Sequence, residues 1–147
     1  MADASTDIAW LALGVNIGRR GTALARQREE VERAGMHIEQ TSAEVLTRAV
    51  GDTAQEDFHN QVLRVRSAMA WTPMRWLERC QHAERAAGRK VSYRWGPRVA
   101  DVDILLLGLH GDIAVHSERL TVPHPELVNR PFLTALLAQA GFSGGGG

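Results

Sequence analysis

Apolar residues along the chain occur in short blocks that alternate between strand-like and helical spacing. Ile8 to Leu13 is an uninterrupted apolar run that ends at a glycine, which predicts a buried strand followed by a turn. Thr22 to Ala34 has helical spacing, with Leu24, Arg28 and Val31 on one stripe, although Arg28 is charged. The chain therefore begins as a strand followed by a helix.

The middle of the chain predicts two further strands and a second helix. Apolar residues alternate loosely over Met36 to Thr47 and again over Val62 to Met69, which predicts two strands that pair antiparallel. Thr72 and Pro73 suit the N-cap and the first position of a helix, and Gly88 suits its end. Cys80 lies on the inner stripe of this helix and is interpreted as a core residue rather than a nucleophile.

The last third predicts a long strand, a short strand and a final helix. An apolar run continues to Leu107, Ile113 to Val115 follows a turn, and Asn129 to Ala140 has helical character. The order β-α-β-β-α-β predicts an α+β, ferredoxin-like βαββαβ sandwich with a C-terminal extension. We expect residues 1–142 to form one domain and residues 143–147 to be a flexible glycine-rich tail.

Composition narrows the classes of partner that the chain can have. Its 147 residues have a formal net charge of zero, and no apolar stretch reaches the length of a membrane span. The single cysteine excludes an intrachain disulfide, and the N-terminal residues do not form a secretory signal. We therefore expect a soluble, cytoplasmic protein that binds neither nucleic acid nor membranes. We also expect the protein to be a monomer.

Two aspartates stand at the start of the long strand. Asp101 and Asp103 lead into the apolar run, although Asp is depleted in strands. Residues two apart in a strand face the same side, so the carboxylates project together, with Cα atoms roughly 6.5–7 Å apart. Such a pair suits Mg²⁺. The alternative is an exposed strand end with two solvated carboxylates.

Basic residues cluster just before these aspartates. Between Arg85 and Arg98 there are five basic residues and no acidic one. Arginine stays charged at neutral pH and binds phosphate, so the arginines here and further on are candidate phosphate ligands. These candidates are Arg89, Arg94, Arg98, Arg119 and Arg130. With the aspartates they indicate metal-assisted transfer of a phosphoryl-type group, whereas a solvated basic turn is the alternative.

Several blocks of the sequence resemble a known family. Residues 94–106, RWGPRVADVDILL, resemble the signature RWGPRTLDLDIL of the 6-hydroxymethyl-7,8-dihydropterin pyrophosphokinases, which are enzymes of folate synthesis. Residues 118–125, ERLTVPHP, and 129–132, NRPF, resemble a second block. Residues 57–60, DFHN, and 13–18, LGVNIG, are similar to two more. The blocks match in order and spacing from Ile8 to about Ala140.

The resemblance implies that ATP donates its β,γ-pyrophosphoryl unit to the hydroxymethyl group of the pterin and leaves as AMP. By position, Asp101 and Asp103 would hold two Mg²⁺ ions that bridge the triphosphate, and Arg89 and Arg98 would clamp the transferring phosphates. The positions that match the family's nucleotide site are Gln81, Glu84, Arg89, Arg94, Arg98, Ile104, Arg119, Thr121, His124 and Arg130.

The resemblance also implies a site for 6-hydroxymethyl-7,8-dihydropterin. Phe58 and Phe132 would stack on its two faces, and the amide of Asn60 would offer a donor and an acceptor to its edge. Asp101 would also belong to the pterin site, since the two aspartates seat the metals between ATP and the pterin. The remaining matching positions are Thr47, Val50 and Trp95, of which the first two would contribute mainly backbone groups and the third would help to close the pocket.

Two departures from the family pattern affect the alternatives. Val91 replaces an arginine of the loop, and the sequence ends in glycines where the family commonly continues for another short segment. A catalytically impaired pterin- and nucleotide-binding relative is therefore the alternative function. A nucleic-acid-binding module on the same fold would have no use for Asp101 and Asp103, and the chain has no RNP1-like stretch.

Overall fold

The fold contains one main antiparallel sheet and helices on both of its faces. The structure is a computed structural model that describes residues 4–16, 22–47, 58–91 and 100–144, with only the backbone described at residues 22 and 89–91. Its elements are β1 Thr6–Val15, α1 Thr22–Arg33, β2 His37–Thr41, β3 Val45–Thr47, β4 Phe58–Trp71, α2 Pro73–Val91, β5 Ala100–Leu107, β6 Val115–His116, β7 Thr121–Val122, a 3₁₀ helix Pro125–Val128 and α3 Pro131–Gln139.

Within these residues the sheet has the strand order β2-β4-β1-β5, and β3 also pairs with β4. All of its pairings are antiparallel, including those of β2 and β3 with β4, which confirms the predicted pairing in the middle of the chain. The central strand β1 lies between β4 and β5, so it brings residues that are far apart in sequence into one surface. β5 lies at the edge of this order.

The alternation of side chains gives the sheet two different faces. One face packs against α1 and α2 in an apolar core that includes Leu11, Leu24, Trp76 and Ile104. On the other face α3 covers a smaller apolar cluster around Trp10. This second face is only partly covered by apolar residues, and the polar residues of β5 lie on it.

The strand predicted over Met36 to Thr47 is divided into β2 and β3 in the structure. Ser42 lies at the break, where its backbone N–H donates to the carbonyl oxygen of Val62 at 2.8 Å. Its Oγ accepts from the backbone N–H of Val62 at 2.9 Å. The side chain thus replaces a backbone acceptor, which is why a break in the strand leaves the pairing with β4 intact on both sides.

Both main helices differ in detail from their predictions. α2 passes through Gly88 and ends at Val91. Gly88 lacks the left-handed conformation of a helix-ending glycine, whereas Gly35, which follows α1, has it with φ 95°. In α1 the buried position between Leu24 and Val31 belongs to Gln27, because Arg28 is half-exposed. The charged residue therefore lies beside the stripe and not in it.

The region after β5 differs more from its prediction. The short strand predicted over Ile113 to Val115 is shifted to β6, which forms a two-stranded sheet with β7. Ile113 instead makes an isolated bridge to Leu107. Cys80 is buried in the core as predicted, and burial raises the pKa of its thiol. In the part of the chain that the structure describes, no helix is both long enough and apolar enough to cross a membrane.

Candidate active site

Three strands bring the central residues of the site into one row. Gly14 of β1 pairs with Asn60 of β4 on one side and with Asp101 of β5 on the other. At the usual spacing of neighbouring strands, the Cα atoms of Asn60 and Asp101 are roughly 10 Å apart. Because Gly14 has no side chain, the space above it stays open between the amide and the carboxylate.

A cavity of about 210 Å³ lies over this row. Six of the residues that line it were site candidates from the sequence: Phe58, Asn60, Asp101, Asp103, His124 and Arg130. The other lining residues are Ala12, Leu13, Gly14, Leu105, Glu126 and Leu133. The chain thus brings together aromatic, amide, carboxylate, imidazole and guanidinium groups from separate parts of the sequence.

The two aspartates face this cavity as half-buried carboxyl groups. Burial raises the pKa of Asp101, and the neighbouring charge of Asp103 raises it further. Burial also raises the pKa of Asp103, while its interactions with His124 and Arg130 act in the opposite direction. The pair therefore concentrates negative charge at a partly desolvated place, where a cation would be stabilised.

Glu84 adds a third carboxyl group from the side of α2. Burial raises its pKa to about 7, and the charges of Asp101 and Asp103 contribute to the increase. One of its oxygens, Oε2, accepts a hydrogen bond from the backbone N–H of Val102 at 2.9 Å. Glu84 thus contacts the backbone of the strand between the two aspartates.

His124 and Arg130 form another part of the cavity wall. His124 Nδ1 accepts from the backbone N–H of Glu126 at 3.1 Å, so in the neutral imidazole the proton is on Nε2. Arg130, at the N-terminus of α3, has its Nε 3.5 Å from Glu126 Oε1. The wall therefore offers an imidazole N–H and an exposed guanidinium, both of which suit phosphate oxygens.

Asn60 has a fixed orientation at the other end of the cavity. Its Nδ2 donates to Thr47 Oγ1 at 2.9 Å and to the carbonyl oxygen of Phe58 at 3.3 Å. The amide oxygen lies on the side of Gly14, since a Cβ built there would be 3.5 Å from Asn60 Oδ1. The sequence predicted a donor and an acceptor, whereas in the structure the donor is used internally and the acceptor faces the cavity.

The other described candidates lie at different places. Gln81 and Arg119 line a second cavity of about 330 Å³ with Met74, Arg75 and Glu78. Thr121 is in β7, and the side chain of Ile104 is in the core under α1 and α2. Phe132 packs against the apolar cluster under α3. Val50, Arg94, Trp95 and Arg98, as well as the side chain of Arg89, are outside the described part of the chain.

Sequence reasoning gave no site role to six of the residues that line the first cavity, and two of these, Gly14 and Glu126, bear on its chemistry. It assigned Gly14 only to a turn, and it gave no role to Glu126, which orients His124 and Arg130. The register of β1 against two strands makes Gly14 part of the site, and that register cannot be obtained from β1 alone. For Glu126 a signal existed, because a carboxylate four residues before Arg130 suits an ion pair.

Asp101 and Asp103 fit Mg²⁺ by the chemistry of their donors, because hard oxygen ligands suit this ion and it takes further ligands from water and phosphates. Over the described ranges, which exclude residues 17–21, 48–57 and 92–99, no group of three or more His, Cys, Asp or Glu side chains has an arrangement that could hold a metal ion.

Known proteins resemble the chain over most of its length. The sequence profile of the family described as 7,8-dihydro-6-hydroxymethylpterin-pyrophosphokinase matches residues 10–141. A Bacillus subtilis (strain 168) protein named 2-amino-4-hydroxy-6-hydroxymethyldihydropteridine pyrophosphokinase is 37% identical over 135 residues, which cover 90% of this chain and 77% of the relative. A protein of the same name from Methylorubrum extorquens is 36% identical over 89% of this chain and 80% of the relative.

The fold has solved counterparts as well. The crystal structure of Plasmodium falciparum HPPK-DHPS A437G with SDX-DHP matches with a TM-score of 0.67 over 98% of this chain, at 12% sequence identity. The chain spans 44% of that protein, so this likeness concerns the fold alone. The profile match and the bacterial relatives show the family by sequence. The chain belongs to the 7,8-dihydro-6-hydroxymethylpterin-pyrophosphokinase family.

Proposed function

We propose that this protein transfers the pyrophosphoryl group of ATP to the hydroxymethyl group of 6-hydroxymethyl-7,8-dihydropterin, a step of folate synthesis. The products are the pterin diphosphate and AMP. The observation that carries the proposal is the row Asn60, Gly14 and Asp101, which joins an amide acceptor to a carboxylate pair across one open cavity. A reaction between a pterin and a metal-bound triphosphate needs both a polar group for the pterin and carboxylates for the metal.

The carboxylate end suits the triphosphate. Asp101 and Asp103 would hold two Mg²⁺ ions, which would neutralise charge on the phosphates and help to orient them. Arg130 and His124 line the same cavity as these carboxylates, and the guanidinium and the Nε2–H would bind phosphate oxygens. Arg89, Arg94 and Arg98 are further candidates for this role by their position in the family signature.

The amide end suits the pterin. Asn60 Oδ1 can accept from an N–H of the pterin ring, because the Asn60 Nδ2 is held by Thr47 and Phe58. Phe58 lines the same cavity and offers an apolar face for stacking. Phe132 is proposed as the second face, with Val50 and Trp95 completing the pocket.

The base and ribose of ATP are assigned to the other candidates. Gln81 and Arg119 share the second cavity, which is lined mainly by polar groups of α2. Glu84 lies on the same helix three residues after Gln81 and approaches the aspartates. We place the nucleotide along this side of α2, with Thr121 and the backbone of Ile104 as additional contacts.

The chemistry in this arrangement is a substitution at the β-phosphorus of ATP. The hydroxymethyl oxygen forms a bond to this phosphorus and releases its proton to the solvent, the bond to the α,β-bridging oxygen breaks, and AMP leaves with that oxygen. The residues contribute mainly position and charge, as in other phosphoryl transfers. His124 Nε2–H and Arg130 would stabilise the additional negative charge of the transition state.

The remaining parts of the proposal concern the whole molecule. The order β2-β4-β1-β5, with α1 and α2 on one face, supports a ferredoxin-like βαββαβ sandwich with a C-terminal extension. We propose that residues 1–142 act as one domain, and that the protein is a cytoplasmic monomer without a nucleic-acid or membrane partner.

Product analysis tests the proposed function. The protein is incubated with ATP, Mg²⁺ and 6-hydroxymethyl-7,8-dihydropterin, and the nucleotides are separated by chromatography. We expect AMP to form in equal amount with the pterin diphosphate, and no nucleotide to be consumed without the pterin. Formation of ADP would indicate an ordinary kinase, and binding of both substrates without AMP would indicate an impaired relative. Either result would overturn the proposal.

A further inference from the structure

A single peptide unit between the two aspartates is held from both helices of the main core. Gln27 Nε2 of α1 donates to the carbonyl oxygen of Asp101 at 3.0 Å. The N–H of Val102, the other polar group of the same peptide unit, donates to Glu84 Oε2 of α2 at 2.9 Å. Two side chains from different helices thus bind the two ends of one peptide dipole.

This contact fixes a backbone segment whose direction decides where the carboxylates point. The Asp101–Val102 peptide is planar, so hydrogen bonds to its two polar groups restrict the ψ angle of Asp101 and the φ angle of Val102. β5 lies at the edge of the described sheet, where a backbone has a neighbouring strand on one side only. Glu84 therefore supplies the partner for Val102 N–H that a second neighbouring strand would otherwise give, and Gln27 adds a contact at the opposite end of the same peptide unit.

Packing alone does not explain an amide at position 27. Gln27 is fully buried between Leu24 and Val31, on a stripe of α1 that is otherwise apolar at these positions. Its Oε1 is buried and has no hydrogen-bond partner among the described residues. An unpaired buried acceptor destabilises a protein, whereas methionine has a similar length and would leave no polar group unpaired.

We propose that Gln27 is a positioning residue that holds the Asp101 carbonyl so that Asp101 and Asp103 keep the spacing needed to bind divalent cations. This inference rests on the proposed function, since it assumes that the two carboxylates are the metal ligands. Partners that orient metal ligands commonly change metal affinity by 10- to 100-fold when they are removed. Gln27 therefore acts through Asp101 and does not contact the ligand itself.

The test measures metal binding without turnover. Mn²⁺ is titrated into the protein in the presence of α,β-methylene-ATP, and free Mn²⁺ is followed by electron paramagnetic resonance. Gln27→Met should raise the Mn²⁺ dissociation constant about tenfold. The melting temperature should stay the same or rise, because the substitution removes the unpaired acceptor together with the hydrogen bond.

Gln61→Met provides the matched control. Gln61 is also a buried glutamine. Its Oε1 accepts from Arg28 of α1 and its Nε2 donates to the carbonyl oxygen of Ser42, so its side chain does not bond the backbone of the two aspartates. The control should bind Mn²⁺ like the wild type. Equal weakening in both variants would show a general effect of losing a buried amide and would overturn the proposal.

The remaining outcomes separate this inference from the proposed function. If the wild type binds Mn²⁺ with the nucleotide and Gln27→Met binds it equally well, Gln27 has no positioning role. If the wild type itself binds no Mn²⁺, the metal part of the proposed function fails first. Should Gln27→Met not fold, Gln27→Asn serves instead, because its shorter amide cannot reach the Asp101 carbonyl, and wild-type affinity in that variant would refute the inference.

Discussion

The two faces of the sheet use the same strands but opposite kinds of residue. Along β5, Val102 and Ile104 point into the closed apolar core under α1 and α2, while Asp101 and Asp103 point into the open cavity on the other face. The first face is mainly apolar, with a few buried polar side chains such as Gln27 and Gln61, and it stabilises the fold. The second contains partly desolvated charges that disfavour folding and favour binding of a cation. Alternate residues of β5 thus point to opposite faces, one that stabilises the fold and one that contains the candidate site.

The largest effect that tests this difference between the faces is expected when one carboxylate is removed from the open face. We expect Asp103→Asn to lower kcat by about 10³-fold or more, which corresponds to a loss of roughly 4 kcal/mol of transition-state stabilisation. The reason is that the Mg²⁺ ions on the triphosphate would lose a carboxylate ligand. The far-ultraviolet circular dichroism should be retained and the melting temperature should stay the same or rise, since a partly desolvated charge that disfavours folding is replaced by a neutral group of equal size. A variant with full activity would show that the open face does not bind the metal.

A matched change on the closed face should have the reverse effect. Leu11→Ala removes a fully buried side chain from the core and should lower the free energy of unfolding by about 3 kcal/mol. The kcat of the folded variant should stay within about twofold of wild type, because Leu11 is not in the cavity lining. Urea denaturation and initial rates measure the two quantities.

Met69→Ala is the control for this substitution, because Met69 is 69% exposed on β4. We expect its unfolding free energy to change by no more than about 0.5 kcal/mol. Equal losses of stability in Leu11→Ala and Met69→Ala would contradict the assignment of the stabilising core to the α1 and α2 face.

The smallest effect concerns pH. Burial raises the pKa of Glu84 to about 7, so between the usual pKa of a glutamate and 7 the folded protein binds a proton that the unfolded chain does not. Its contribution to stability is therefore complete at pH 4 and is lost as the pH rises toward 8. Glu84→Gln keeps an acceptor for Val102 and removes this loss.

We expect Glu84→Gln to match the wild type at pH 4.5 and to exceed it by about 1–2 kcal/mol at pH 8, after allowance for partial exposure of the side chain. Asp101 and Asp103, whose pKa values are raised in the same direction, keep a smaller slope in the variant. Urea denaturation without Mg²⁺ or nucleotide measures both slopes. Parallel curves for the two proteins would contradict the raised pKa of Glu84.

Much of this arrangement could be predicted from the sequence because its periodicities are local. The apolar run of β1, the Pro73 start of α2 and the alternation of Asp101 with Asp103 were found from spacing alone. The break at Ser42 could not be found, because it depends on hydrogen bonds to Val62, which is 20 residues away.

The residues of the site likewise fall into those that the sequence indicated and those that only the fold reveals. Spacing gave the carboxylate pair, and the resemblance supplied candidates such as Asn60 and His124. The role of Gly14 depends on pairing with two distant strands, and that of Gln27 depends on the packing of α1 against β5. Helical spacing alone would place Gln27 between Leu24 and Val31, but the charged Arg28 obscured that stripe in the sequence.

The central claim is that the open face performs a pyrophosphoryl transfer, and the fate of the β-phosphate tests it most directly. ATP labelled with ³²P at the β position is incubated with Mg²⁺, 6-hydroxymethyl-7,8-dihydropterin and the protein, and products are separated by thin-layer chromatography. If both terminal phosphates move together, the β label leaves the nucleotide and appears in the pterin product at the rate at which AMP forms. Retention of the label in ADP, or in unreacted ATP, would contradict the account.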